Sequence, residues 1–142
     1  MKATLRAFQT KDDYWRIRAF LREVNLACGR DEQSWQVARL DYWRWHVVLN
    51  CQGCPPVDQV TFLWETAAGE IVAVLNPEGF GEAHLQVHPA WKSVELESEM
   101  LDLAERRLVR AGPKGRRLPV MASEKDAPRR ELLIGRDYQR HS

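Results

Sequence analysis

The spacing of apolar side chains near the N-terminus predicts one strand and one helix. Between Tyr14 and Val24, apolar residues recur at intervals of three and four, which is typical of an amphipathic helix. Thr10 and Asp13 stand three residues apart just before it, as in an acidic variant of the capping box. The stretch Thr4–Phe8 ahead of them favours a short opening strand.

A second helix is predicted from about Ser34 to Leu49, after a polar break, and it is apolar on two sides. One side carries Val37, Leu40 and Val47, and the other carries Ala38, Tyr42, Trp45 and Leu49. Such a helix is either covered on both sides or leaves an aromatic face open to a ligand or partner. Large core residues in a small domain and an open binding face both explain this pattern.

Beyond residue 58 the apolar period becomes two, which predicts strands. The segments Gln59–Thr66 and Glu70–Pro77 flank Gly69 and indicate a hairpin, and Gly81–Pro89 indicates a third strand. The order of strands and helices therefore begins β-α-α-β-β-β.

The helical period returns in the second half of the chain. The segment Val94–Gly112 predicts a long helix with Gly112 as its C-terminal stop. A further strand is predicted at Arg116–Ser123, and a short last helix at Asp126–Tyr138 with Pro128 in its first turn. The complete order predicts an α+β fold: one mainly antiparallel sheet with helices on its faces.

Length and charge narrow the functional classes. A chain of 142 residues suits one domain, and we expect a single domain over 1–142 that is cytosolic, without a membrane span or signal peptide. From Glu105 onward the chain has eleven Lys and Arg against five Asp and Glu. A basic tail can hold phosphates or nucleic acid, but an ordinary solvated surface has the same composition. We expect no membrane partner and no nucleic acid.

Three cysteines raise the question of a metal site. Cys51 and Cys54 have metal-ligand spacing, and Cys28 and His46 could complete a set of four ligands. A structural zinc site usually shows a second close pair of ligands, which this sequence lacks. The pattern favours a loop with free thiols, or an occasional disulfide, and no metal.

Several strings in this order resemble the GNAT superfamily of acyl-CoA-dependent N-acetyltransferases. The opening "TLRAFQTKDDYWRIRAFLREV" is similar to the family's first strand and helix, and "VTFLWETAAGEIVAVLNP" to its central hairpin. "AHLQVHPAWK" resembles the end of its fourth strand, and "ELLIGRDY" its closing motif. The first half looks most like the N-terminal unit of tandem GNAT proteins, in which one copy often does no chemistry. The resemblance implies a GNAT-like fold that lacks the family's final strand or strands.

The resemblance also implies a site for acetyl-CoA or CoA. In the family, the strand that matches Leu85–Val87 splays from the next one, here Leu118–Ala122, and the pantetheine arm lies in the gap. The following turn offers backbone N–H groups to the pyrophosphate at a helix N-terminus. The candidate cofactor-binding residues are Leu85, Val87, Lys92, Ser93 and Val94.

This turn departs from the family pattern at two positions. Glu95 and Glu97 stand where the family has glycines, so each adds a side chain and a negative charge near a negative ligand. The same residues suit a self-capped helix, with Ser93 as the N-cap and acidic residues in the first turns. We therefore expect pyrophosphate binding to be weak or lost.

The catalytic residues stay unassigned. Leu133 stands where the family often has a tyrosine that protonates the departing thiolate, and Tyr138 is expected in the core. Residues on or beside predicted strands could act as a general base, and the sequence does not choose among them. They are Glu65, Glu82, His84, His88 and Glu124.

Three functions remain open. The first is a GNAT-like domain with weak or no acetyl transfer and a structural, interaction or ligand-sensing role. The second is an active acetyl-CoA-dependent N-acetyltransferase that uses Lys92 and C-terminal arginines for the phosphates. The third is a binder of nucleic acid or acidic partners through the basic tail. The open sheet edge predicts a homodimer or a second GNAT-like unit as its cover.

Overall fold

The structure, a computed structural model, describes residues 2–29, 34–79, 81–113 and 115–141. Its centre is an antiparallel sheet with the strands in the order β1-β2-β3-β4. The strands are β1 (Thr4–Ala7), β2 (Phe62–Glu65), β3 (Ile71–Asn76) and β4 (His84–Val87). Gly69 lies in the turn between β2 and β3 with φ +84°, a conformation that glycine adopts without strain. The opening strand, the hairpin and the third strand of the hairpin unit are confirmed.

Helix α1 spans Lys11–Cys28 and buries the predicted apolar stripe. Its buried apolar residues are Tyr14, Ile17, Phe20, Leu21 and Val24. The Asp13 carboxylate accepts hydrogen bonds from the backbone N–H groups of Gln9 (2.9 Å) and Thr10 (3.4 Å). The predicted capping box at Thr10 is therefore present.

The second helical segment is interrupted by a π-helical turn. It consists of α2 (Val37–Tyr42), the π-turn Trp43–Val47 and α3 (Val48–Asn50), and a short helix α4 (Val57–Val60) follows. Only Leu40 and Trp43 of this segment are buried. Tyr42, Trp45 and Leu49 are at least half exposed. Of the two alternatives for this helix, the structure has the one with an open aromatic face. The residues of the predicted break at 30–33 lie outside the described residues.

The remaining helices are α5 (Val94–Arg107) and α6 (Ala127–Gly135). Strand register places Trp64 and Val87 on the sheet face that α5 covers, and the Trp64 indole donates to Glu99 of α5 (3.2 Å). Gln86 lies on the opposite face, where it accepts a hydrogen bond from the backbone N–H of Trp35 (2.7 Å). Helices thus cover both faces of the sheet. No helix in the described part of the chain is both long and apolar enough to cross a membrane.

The predicted end of the long helix at Gly112 was wrong. Helix α5 ends at Arg107, and β5 (Arg110–Gly112) pairs with β6 (Gly115–Arg117) as a separate hairpin. Gly112 and Pro113 favour a turn over a helix, and Gly115 has φ +97°. The two strands pair because this turn reverses the chain direction.

The prediction of a strand at Arg116–Ser123 was also wrong. Its first residues belong to β6, and beyond them only Val120 joins the main sheet, through a single parallel bridge to Ala83. Pro119 has no N–H group, so it cannot contribute a donor to a longer ladder. In the described structure, the neighbour of β4 on this side is thus one bridge rather than a strand.

Candidate functional site

The free side of β4 is the first element of the candidate site. The Ala83 N–H donates to Pro119 O (2.9 Å), and the Met121 N–H donates to Ala83 O (3.3 Å). His88 N–H donates to Val72 on the other side, so alternation along the strand directs the N–H and C=O groups of Leu85 and Val87 to the free edge. Among the described residues, no backbone hydrogen bond reaches them there.

These two residues are buried, so their main-chain groups lie away from bulk water. A buried N–H group without a partner costs about 1–3 kcal/mol. The edge is therefore prepared for an extended ligand or a further strand. The predicted cofactor contacts of Leu85 and Val87 stay a prediction.

A cavity of about 330 Å³ lies beside this edge. Strand β4 contributes His84, Leu85 and Gln86 to its wall, and the segment before α2 contributes Ser34, Trp35 and Gln36. Arg39 of α2, Met121 and Arg129 of α6 complete the lining. The volume is at the lower end of the range for small-molecule pockets, which is roughly 300–1,000 Å³.

A hydrogen bond from Trp35 determines which nitrogen of His84 carries the proton. The Trp35 indole N–H donates to Nδ1 of His84 (3.2 Å), so a neutral imidazole carries its proton on Nε2, which faces Glu78 at 3.9 Å. Burial, with a smaller effect of the Arg39 charge, lowers the pKa of His84 to about 4. His84 therefore stays neutral near pH 7, and its one N–H group is directed toward Glu78.

The N-terminus of α5 carries an internal ion cluster. Ser93 caps the helix, its Oγ accepting from the Leu96 N–H (3.1 Å). Glu97 is 2% exposed and pairs with Lys92 Nζ (2.8 Å) and with Arg129 Nε of α6. Lys92 also binds Asp126, the N-cap of α6, at 2.8 Å. Two cations and two carboxylates thus neutralise one another between the two helix ends.

Solved structures resemble this arrangement, whereas no protein-family model and no curated protein sequence matches the chain. A GCN5-related N-acetyltransferase from Sphaerobacter thermophilus aligns over 75% of this chain with a TM-score of 0.52 and 17% identity. A proposed acetyltransferase from Exiguobacterium sp. 255-15 aligns over 100% of it, with a TM-score of 0.56 and 17% identity. The chain has the fold of the GCN5-related N-acetyltransferases. It covers 32% of the first protein and 88% of the second.

The α5 end of this GNAT fold does not fit a CoA pyrophosphate. The site would need free main-chain donors and room for the backbone to approach the phosphates. Here the Leu96 N–H donates to Ser93 Oγ and the Glu97 N–H to Ser93 O (3.1 Å). The buried Glu97 carboxylate already holds the two cations that could bind a phosphate. The free edge of β4 provides room beside the sheet, but Lys92 and the cap at Ser93 at its phosphate end are already engaged.

The structure places the five candidate general bases in different surroundings. Only His84 lines the cavity, and its Nδ1 lone pair is taken by Trp35. Glu65 binds Arg6 (2.6 Å) and Arg16 (2.9 Å), which lower its pKa against the opposing effect of burial. Glu82 accepts a hydrogen bond within its loop, His88 caps a turn, and Glu124 forms a surface ion pair. None of the five offers a free base to the cavity.

The position of the family tyrosine is apolar. Leu133 is buried in the core, and the Tyr138 hydroxyl donates to Glu105 of α5 (3.0 Å). Burial and the Glu105 carboxylate raise the pKa of Tyr138. Tyr138 packs against the core as expected, and its hydroxyl is engaged away from the residues that line the cavity.

Two residues of the site were missed by the sequence analysis: Trp35 and Arg129. Arg129 was predicted only as part of the short last helix, and Trp35 only as part of the second helix. Their partners lie 32 to 51 positions away in sequence. A local signal existed for Arg129, because Asp126 precedes it by three residues and its carboxylate accepts from the Arg129 N–H.

Cys28, Cys51 and Cys54 form no disulfide bond; Cys51 is exposed, and the other two are half-buried. Burial raises the pKa of Cys54, with a smaller contribution from Cys51. In the part of the chain that the structure describes, no group of three or more His, Cys, Asp or Glu side chains is placed to hold a metal ion.

Proposed function

We propose that this chain is a GNAT-fold domain with weak or no acetyl transfer, which serves as a binding or interaction unit. The observation that supports the proposal most is the position of Glu97, buried at the helix N-terminus where a GNAT enzyme would hold a diphosphate. An internal carboxylate has taken the place of the external anion.

Electrostatics favours this proposal. A further negative group within about 4 Å of Glu97 is repelled by about 1 kcal/mol in water-like surroundings and by about 4 kcal/mol in a partly buried site. Lys92 does not offset this repulsion freely, because its ammonium already binds Glu97 and Asp126. Compared with a turn that has glycines at positions 95 and 97, acyl-CoA affinity should be lower by a factor of roughly ten or more.

The chemical groups near the cavity support the same conclusion. Acetyl transfer benefits from a base for the amine and an acid for the thiolate. His84 presents a donor, and Leu133 carries no proton. The described residues that line the cavity include no aspartate or glutamate. Positioning alone would have to supply the rate enhancement.

The alternative is an active acetyl-CoA-dependent N-acetyltransferase with an atypical phosphate site. The specific observation in its favour is the free edge of β4, where Leu85 and Val87 could pair with an extended arm. In that case Lys92 would have to exchange Glu97 for phosphate.

Calorimetric titration with acetyl-CoA distinguishes the two functions. We expect no heat of binding at millimolar cofactor and no thiol release with a panel of primary amines. Micromolar affinity, or turnover above the uncatalysed rate, would establish the alternative.

A double variant tests the electrostatic cause directly. Replacing Glu95 and Glu97 by glycine should increase acyl-CoA affinity, because it frees Lys92 and Arg129 and lets the backbone approach a phosphate. The matched control is Glu95→Gly alone, which leaves the buried carboxylate in place and should gain much less. Circular dichroism establishes that each variant is folded before it is titrated. If the folded double variant binds acyl-CoA no more tightly than the unaltered protein does, this turn does not limit binding.

A further inference from the structure

The cavity beside β4 has an unusual balance of hydrogen-bonding groups. Its two charged lining residues are Arg39, which pairs with Glu78 outside the lining, and Arg129, and the described lining contains no carboxylate. Arginine has five donors and no acceptor. A ligand that fits this wall must therefore supply acceptor atoms.

Arg129 is the strongest of these donors because it is buried. It is 3% exposed, and its side-chain hydrogen bond in the described structure runs from Nε to Glu97. No side-chain hydrogen bond from either of its Nη atoms is found among the described residues. Buried guanidinium donors are normally paired, and two Nη donors match the two oxygens of a carboxylate.

Trp35 forms a further part of the cavity wall. Trp35 is 4% exposed, and the Arg39 guanidinium lies over its ring at 4.7 Å. Met121, which is 56% exposed, forms the rim. The volume of about 330 Å³ admits a small molecule but not a nucleotide cofactor of the size of CoA.

The geometry points to a binding site for a small carboxylate with a flat or apolar body. Its carboxylate would pair with Arg129, and its body would lie between Trp35 and Met121. Because the domain is proposed to lack acetyl transfer, the pocket is assigned to binding alone, and that part rests on the proposed function. Such a site would make the domain a sensor of a small organic acid.

Nuclear magnetic resonance tests this site with benzoate as the probe and benzamide as its neutral match. Benzoate should shift the Trp35 indole N–H signal with a Kd of roughly 0.1 to 1 mM. Benzamide should bind at least about tenfold more weakly, because it has one acceptor oxygen and no charge. Equal binding of the two probes, or no shift at about 10 mM benzoate, would overturn the assignment.

Charge variants at the rim test the site without touching the ion cluster. Met121→Glu should weaken benzoate binding about five- to tenfold, and Met121→Lys should strengthen it. Ile134→Glu is the matched control, since Ile134 is 70% exposed on α6 and outside the cavity lining. If Met121→Glu and Ile134→Glu have the same effect, the carboxylate does not bind in this cavity.

Acetyl-CoA in the same titration separates this inference from the proposed function. Benzoate binding together with acetyl-CoA turnover would leave the pocket standing and refute the proposed function. Absence of benzoate binding together with absence of acetyl-CoA binding would refute the pocket and leave the proposed function intact.

Discussion

Glu97 shows how one side chain can change the use of a helix end. A helix N-terminus attracts negative charge because its first N–H groups are unpaired and its dipole is positive there. Glu97 supplies that charge from within the chain, and Lys92 and Arg129 bind its two oxygens. The cap at Ser93 was predictable because a cap is local, whereas the partners of Glu97 were not, because Arg129 lies 32 positions later.

The burial of Glu97 leads to a stability prediction. Glu97→Gln should lower the free energy of unfolding by about 3 kcal/mol, because it leaves Arg129 buried beside an uncharged partner. The matched control is Glu95→Gln, which alters an exposed side chain in the same turn and should change stability by less than about 0.5 kcal/mol. Urea denaturation at pH 7 measures both. Similar losses for the two variants would contradict the ion cluster.

His84 leads to a pH prediction. Its folded-state pKa of about 4 lies below the ordinary value of 6.5, so the unfolded chain takes up the proton first as the pH falls. Stability from this group is complete above about pH 6.5 and is lost as the pH falls toward about 4, by up to about 3 kcal/mol. His84→Asn keeps an acceptor for Trp35 and should flatten that part of the curve.

The comparison needs a control because carboxylates titrate in the same range. His141→Asn removes an exposed histidine and should follow the unaltered protein. Urea denaturation at pH 7, 5 and 4 gives the three curves. A His84→Asn curve that is parallel to that of the unaltered protein would show that His84 is not held neutral by burial.

At the level of elements, periodicity predicted most of the fold and failed where a single residue controls pairing. The hairpin around Gly69 follows from alternation and one turn residue, both of which are local. The segment Arg116–Ser123 also looked like a strand, but Pro119 lacks a donor and only Val120 pairs. Whether a strand finds a partner depends on its neighbours, which the sequence pattern does not contain. The π-turn at Trp43–Val47 was missed for the same reason.

Strand β4 gives a prediction at this scale. The N–H groups of His84 and Gln86 face β3, whereas those of Leu85 and Val87 face the free edge. Amide hydrogen exchange resolved by residue should therefore alternate, with the second pair exchanging at least about tenfold faster. Uniform protection along β4 would mean that its free edge is already paired. The α5 amides of Met100 and Leu101, buried in the core, serve as the slow reference.

On the scale of the whole molecule, the charge asymmetry of the chain has a structural counterpart. Within the described residues, Arg129, Arg136 and Arg140 of the basic C-terminal part form ion pairs with carboxylates. Arg136 binds Asp102 and Glu105 of α5, each at 2.6 Å. These contacts tie α6 and the segment after it to the domain. They reduce the positive charge available to nucleic acid.

The oligomeric state in solution is also a property of the whole molecule. The sequence-based prediction of a second copy, or another GNAT-like unit, over the open sheet edge stays a prediction. A paired edge would satisfy the buried main-chain groups of Leu85 and Val87, each of which costs about 1–3 kcal/mol when unpaired. Light scattering should then give twice the chain mass of 16.5 kDa at high concentration, and the exchange of these two amides should slow as the dimer forms. A monomer at every concentration would show that a second copy of the chain does not cover this edge.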